Sequence, residues 1–222
     1  MRPSRTTAVN KLRELKQRTK IIRGGSSAGK TIAILCILID YAIRNKNKEI
    51  SVVAESIPHL RRGALKDFLS IMRGVNRYKE KQFNRSTLKY EFVSGSYIEF
   101  FSTDQPDKLR GARRTDLYIN ECNNVPFSSY QELAIRTSET VWLDYNPTSL
   151  FWVDKELVDQ PDTDFITLTY KDNEALPESI VKELEKARDK AKTSSYWANW
   201  CKVYLDGQIG SLEGACIPDW KE

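Results

Sequence analysis

The chain has 222 residues, 40% of them hydrophobic and 29% charged; its formal charge of +5 tolerates a polyanionic partner without demanding one. No apolar run reaches membrane-spanning length, because Asp40 and Tyr41 break the 32–43 stretch, and the basic start Met1–Arg5 leads to Lys11-Leu12-Arg13-Glu14, not to a signal-peptide core. Cys36, Cys122, Cys201 and Cys216 are scattered without CxxC spacing and, with the single His59, make a poor zinc set, so reduced thiols in the cytoplasm are expected.

The first predicted elements are a short strand, Ile21-Ile22, a loop of small residues, and a helix through the apolar stretch from Ile32 to Ile43. The loop, Gly24-Gly25-Ser26-Ser27-Ala28-Gly29-Lys30-Thr31, fits GxxxxGK[ST] with the correct flank on each side. Its glycines let backbone N–H groups turn inward around phosphate oxygens where a side chain would block the approach. Lys30 is placed to reach the β and γ phosphates of a nucleotide and Thr31 to ligate Mg²⁺, while the following helix aims its positive dipole end at the anion.

Ile50–Ala54 reads as a buried strand, and Leu60, Leu65, Phe68, Leu69 and Met72 space a helix over 57–72. Segments 88–93 and 97–101 alternate across Ser94-Gly95-Ser96, a hairpin signature. Leu117-Tyr118-Ile119, Val141-Trp142-Leu143 and 165–168 are further short buried strands. Apolar runs alternating with helical patterns predict an α/β fold with a mainly parallel sheet. A charged helix over 177–192 and an aromatic-rich one over 194–205 predict a small helical subdomain, after which Gly207, Gly210, Gly214 and Pro218 loosen the chain as a linker would. The expected division is a core over 1–170, a helical lid over 171–206 and a linker over 207–222.

The segment Leu117-Tyr118-Ile119-Asn120-Glu121 resembles a Walker B element, an apolar strand ending in two polar residues. Glu121 fits the residue that polarises the attacking water; Asn120 stands where an aspartate usually holds Mg²⁺ through water, and brings no charge. Trp142-Leu143-Asp144-Tyr145-Asn146-Pro147 is a second strand with a polar end, where Asn146 is a candidate γ-phosphate sensor and Asp144 a candidate for the charge missing at Asn120. The plain alternatives are turns at 120–124 and at Asn146-Pro147, the latter capped by Asp144.

Together these pieces resemble the N-terminal ATPase domain of the large terminase subunit of tailed bacteriophages. The resemblance is carried by Arg23-Gly24-Gly25, the phosphate loop, 59–65 (HLRRGAL), 95–100 (GSYIEF), 107–111 (DKLRG), the Walker B-like strand, Asn146-Pro147, and a tail from Tyr196-Trp197 to Ile217-Pro218-Asp219-Trp220. It implies a P-loop NTPase of the class with an extra strand between the two nucleotide-binding strands. It also implies ATP hydrolysis that drives double-stranded DNA into a procapsid through a portal protein, by a homo-oligomeric ring, usually of five, with a small terminase subunit, in the infected bacterial host. A nuclease domain would follow Glu222, so this segment is not expected to cut DNA. Many relatives carry an arginine inside the phosphate loop where this chain has Ser26 and Ser27. Arg110, in a segment that the family places near the subunit interface, is therefore the candidate to act in trans, with Arg113, Arg114 and, in cis, Arg23 as alternatives. Arg61, Arg62 and Lys66, with Lys79, Lys81, Arg85 and Lys89 around the hairpin, are candidate DNA contacts. The rival readings are a helicase-like nucleic-acid-stimulated ATPase and an assembly protein that keeps ATP as a structural ligand.

Overall fold

A computed structural model describes residues 5–210; the expected linker residues 211–222, Cys216 among them, lie outside the described residues. In chain order the elements are α1 (Thr7–Arg13), β1 (Thr19–Gly24), α2 (Lys30–Arg44), β2 (Glu49–Ala54), α3 (Ile57–Arg62), α4 (Ala64–Gly74), β3 (Phe83–Asn84), β4 (Lys89–Glu91) and β5 (Tyr97–Ser102). There follow α5 (Pro106–Arg110), β6 (Arg114–Ile119), α6 (Phe127–Ala134), β7 (Thr137–Tyr145), α7 (Trp152–Glu156), β8 (Thr163–Leu168), α8 (Glu178–Lys190) and α9 (Ser195–Tyr204).

The strands form one sheet in the order β3-β4-β5-β2-β6-β7-β1-β8. Among the described residues only the β3–β4 and β4–β5 pairings are antiparallel, and they contain the hairpin expected from the alternating pattern. β1, β2 and β6 are buried along nearly their whole length, with apolar residues at their centres, as a sheet covered on both faces requires. One face packs Ile22, Val52, Phe100 and Tyr118 under α1, α2, α3 and α4; the other packs Ile21, Val53, Leu117 and Leu143 under α5, α6 and α7. Tyr170, Leu184, Ala187, Cys201 and Leu205 form a third, separate cluster between α8 and α9.

Two features position the site. β7 lies between β1 and β6 and pairs in parallel with both, so the strand carrying Asp144 runs between the phosphate-loop strand and the Walker B-like strand. The helix expected over 57–72 is in fact two, α3 and α4, broken at Gly63 (φ −100°, ψ −110°). A Cβ there would lie 3.3 Å from the His59 carbonyl and 3.5 Å from Asn120 Oδ1, so the break lets the backbone sit against the end of β6.

Candidate nucleotide site

The phosphate loop leaves β1 and enters α2 through Gly29, whose left-handed backbone (φ 74°, ψ 17°) caps the helix without any side chain. The first N–H groups of α2 therefore have no competing cap and remain available to an anion. Gly24 and Gly25 are set by close approach: a Cβ on Gly24 would lie 2.3 Å from the Leu168 carbonyl oxygen, and one on Gly25 1.8 Å from that of Tyr204. The loop is thus walled by the end of β8 and the last turn of α9. Ser27 also holds a left-handed backbone (φ 69°).

Lys30 is 8% exposed and folds back over the loop. Its Nζ donates to the carbonyls of Gly24 (2.8 Å) and Gly25 (3.0 Å) and to Asn146 Oδ1 (2.8 Å). Burial pushes its ammonium below the ordinary lysine range, while the charges of Asp144 and Glu121 pull the other way. Asn146 therefore meets the phosphate-loop lysine directly.

At the ends of β6 and β7 the polar residues converge. Asp144 is 1% exposed, and its Oδ1 accepts from Tyr118 Oη (2.8 Å), Asn120 Nδ2 (3.0 Å) and the Glu121 amide (3.1 Å). Asn120 Nδ2 also lies 3.3 Å from Thr31 Oγ1. Asp144 is the last-but-one residue of β7 and takes these donors from Tyr118 on β6 and from the two residues that follow the strand, rather than capping the Asn146-Pro147 turn. Among the described residues no group of three or more His, Cys, Asp or Glu could cage a metal ion. A Mg²⁺ ion here fits instead the pattern of one hydroxyl, Thr31, with phosphate oxygens and water, and Asp144 as the nearby negative charge. Asp144→Asn is accordingly expected to raise the Mg²⁺ concentration for half-maximal ATPase activity by about tenfold, the scale for losing an outer-shell partner. Asn120→Asp should restore it in that background, yet do little in the wild type, where a second carboxylate would meet Asp144 as a like charge. An unchanged Mg²⁺ titration for Asp144→Asn would discard the assignment.

Glu121 also has a left-handed backbone (φ 51°, ψ 56°). Its Oε2 lies 3.2 Å from His59 Nε2 and 3.5 Å from Asn124 Nδ2. Nothing in the local sequence points to the His59 contact. The side chain comes from α3, whose amino end is fixed by Ser56 accepting from the His59 amide. Asn173 is likewise missed by motif reasoning: its Nδ2 donates to the Ser27 carbonyl (2.9 Å).

The arginines divide. Arg110 is exposed on α5, packed beside α6, and has no ion pair among the described residues; Arg113 is exposed and equally unpaired. The alternative Arg114 is corrected: it is 4% exposed and is held by Ser51 Oγ and the carbonyls of Leu133 and Ala112, so it braces β6 instead of reaching outward. Arg23 stacks its guanidinium on Phe165, 4.8 Å from the ring centroid. Arg61, Arg62, Lys66, Lys79 and Lys81 are exposed, whereas Arg85 and Lys89 are ion-paired with Glu80 and Glu91. No helix among the described residues is long and apolar enough to cross a membrane.

A glycine loop closing on the amino end of α2, with a polar strand end two strands away and one parallel strand between, defines a P-loop NTPase with the extra central strand. The chain belongs to the phage terminase large subunit family, whose sequence model matches residues 16–202. Among curated proteins none matches significantly. Among solved structures, the large terminase of a thermophilic bacteriophage superposes with a TM-score of 0.71 at 16% identity, over 92% of this chain and 52% of that one. The Thermus phage P74-26 large terminase ATPase domain gives 0.68 at 14% identity, over 91% of this chain and 92% of that one. The chain thus spans about half the length of the first of these proteins, which has also been solved with ADP and with ATP-γ-S.

Proposed function

We propose that this chain binds and hydrolyses ATP with Mg²⁺ as the motor that drives double-stranded DNA into a procapsid. The observation that carries this reading is the convergence of Lys30, Thr31, Asn120, Asp144, Glu121 and Asn146 at the mouth of one phosphate loop. The amides of Gly25–Thr31 cradle the phosphates, Lys30 leaves its carbonyl partners for the β and γ oxygens, and Thr31 holds the metal. Bound Mg²⁺ neutralises charge on the phosphates. Glu121 orients and polarises the attacking water, and Asn146, released when Lys30 moves, reports the γ-phosphate to β7.

In this reading residues 171–206 act as a lid, because the last turn of α9 already lies against Gly25. The subunits form a ring, of five by the family's habit, in which Arg110 reaches the neighbour's ATP, and they work with a portal and a small terminase subunit in the cytoplasm of the infected host. The exposed cations of α3, α4 and the hairpin supply salt-dependent contacts to DNA phosphates.

The test is steady-state ATPase activity across protein concentration, with and without duplex DNA. A specific rate that rises with concentration and with DNA is expected. Mixing Arg110→Ala with Glu121→Gln subunits should recover activity at interfaces that pair an intact arginine with an intact glutamate. Stimulation by single strands but not by duplex would favour the helicase-like reading. Binding without turnover would favour the assembly-protein reading.

A further inference from the structure

The phosphate loop is braced from outside by a residue that belongs to neither the loop nor the strand ends. Ser27 is not a glycine, yet it sits at φ 69°, a conformation that costs a side-chain-bearing residue free energy unless its surroundings hold it there. Its carbonyl accepts a 2.9 Å hydrogen bond from Asn173 Nδ2. The peptide that follows is planar and trans, so a Ser27 carbonyl turned toward Asn173 turns the Ala28 N–H the opposite way, into the loop. That N–H has only a long 3.4 Å contact to the Gly25 carbonyl, which leaves it free for a better acceptor.

Asn173 also backs the next turn. A Cβ on Gly29 would lie 3.0 Å from Asn173 Cγ and 3.1 Å from its Nδ2, so the carboxamide packs directly on the glycine that caps α2. Its position is itself fixed. Its backbone N–H donates to the Tyr170 carbonyl (3.1 Å), Asp172 pairs with Lys11 (2.7 Å), and Glu174 accepts from the Thr7 amide (2.9 Å). A half-buried side chain rooted between two tethered neighbours is a brace, not a mobile surface group.

We propose that Asn173 is a positioning residue for the nucleotide's phosphates: its amide holds Ser27 in the left-handed conformation that aims the loop's N–H groups inward. This rests on the nucleotide-binding reading above and adds to it a residue beyond the loop and the two strand ends. Asn173 touches backbone, not the reacting atoms, so it acts on binding more than on turnover.

The experiment measures ADP affinity by calorimetry and ATPase kinetics for wild type, Asn173→Ala, the isosteric Asn173→Asp, Ser27→Gly and the double variant Ser27→Gly/Asn173→Ala. Asn173→Ala is expected to raise Kd for ADP and KM for ATP about tenfold with kcat within about twofold, the scale of one neutral hydrogen bond. Asn173→Asp, which loses the donor and sets a carboxylate against a carbonyl, should be at least as weak and guards against a packing defect in the alanine variant. Glycine adopts φ > 0 without strain, so in the Ser27→Gly background the same alanine substitution should cost less than about threefold. A merely structural asparagine would lower Tm without this coupling to Ser27. ADP affinity and KM within twofold of wild type, or equal losses in both Ser27 backgrounds, would overturn the inference while the nucleotide-binding reading stands. Failure of the wild type to bind ADP would overturn both.

Discussion

Lys30→Ala is expected to lower kcat/KM for ATP by at least roughly a thousandfold while leaving the chain folded by circular dichroism. The magnitude follows from what positioned charge contributes to phosphoryl transfer, where little covalent work falls to the protein and stabilisation of developing negative charge dominates. Lys30 Nζ is surrounded by three oxygen acceptors, the carbonyls of Gly24 and Gly25 and Asn146 Oδ1. These keep the buried cation hydrogen-bonded, against the burial that pushes its ammonium below the ordinary range. Phosphate oxygens offer the same kind of partner with full negative charge, so the cation is ready to transfer from one set to the other. Alanine removes the cation and frees the carbonyls at the mouth of the loop, a change that leaves both large apolar clusters of the sheet untouched. A purified Lys30→Ala protein that hydrolyses ATP at the wild-type rate would remove this loop from the chemistry.

The parts of the site that are legible in the sequence are those made by neighbours along the chain. Residues 24–31 carry their own geometry, because the small residues, the lysine and the helix start act within one turn. The strands at 117–119 and 141–143 are visible as apolar runs, although β6 and β7 are longer, Arg114–Ile119 and Thr137–Tyr145. What stays hidden depends on pairing across the sheet. Asp144 is a candidate from sequence, but that Tyr118, Asn120 and Glu121 all donate to one of its oxygens follows from the parallel register of β6 and β7. The break at Gly63 is hidden because the apolar spacing of 60–72 continues across it, and periodicity does not register a single non-helical ψ. His59 and Asn173 have no local signature: one is an ordinary residue of a basic helix, the other part of a polar turn. Arg110 and Arg114 look alike in sequence, and only burial tells the brace from the exposed cation.

Glu121→Gln should bind ADP with wild-type affinity and hydrolyse ATP at least roughly a hundredfold more slowly, the scale for losing a positioned base. Three features of the site make this a test of chemistry and not of packing. Glutamine has the same shape, and its carbonyl oxygen can still accept from Asn124 Nδ2, which lies 3.5 Å from Oε2. The Glu121 amide keeps its 3.1 Å bond to Asp144, so the left-handed backbone that presents the side chain is unaffected. The side chain is 39% exposed, so no buried charge is left uncompensated by its neutralisation. What is lost is the negative charge facing water and His59. The paired measurement decides the matter, because a residue that polarises water lowers kcat without weakening nucleotide binding, whereas one that merely shapes the pocket moves both. Turnover within threefold of wild type would assign Glu121 to the turn after β6. With Asn120 neutral, the water would then be activated from elsewhere in the site, and Asp144, the buried carboxylate that accepts from Asn120 Nδ2, would be the next residue to substitute.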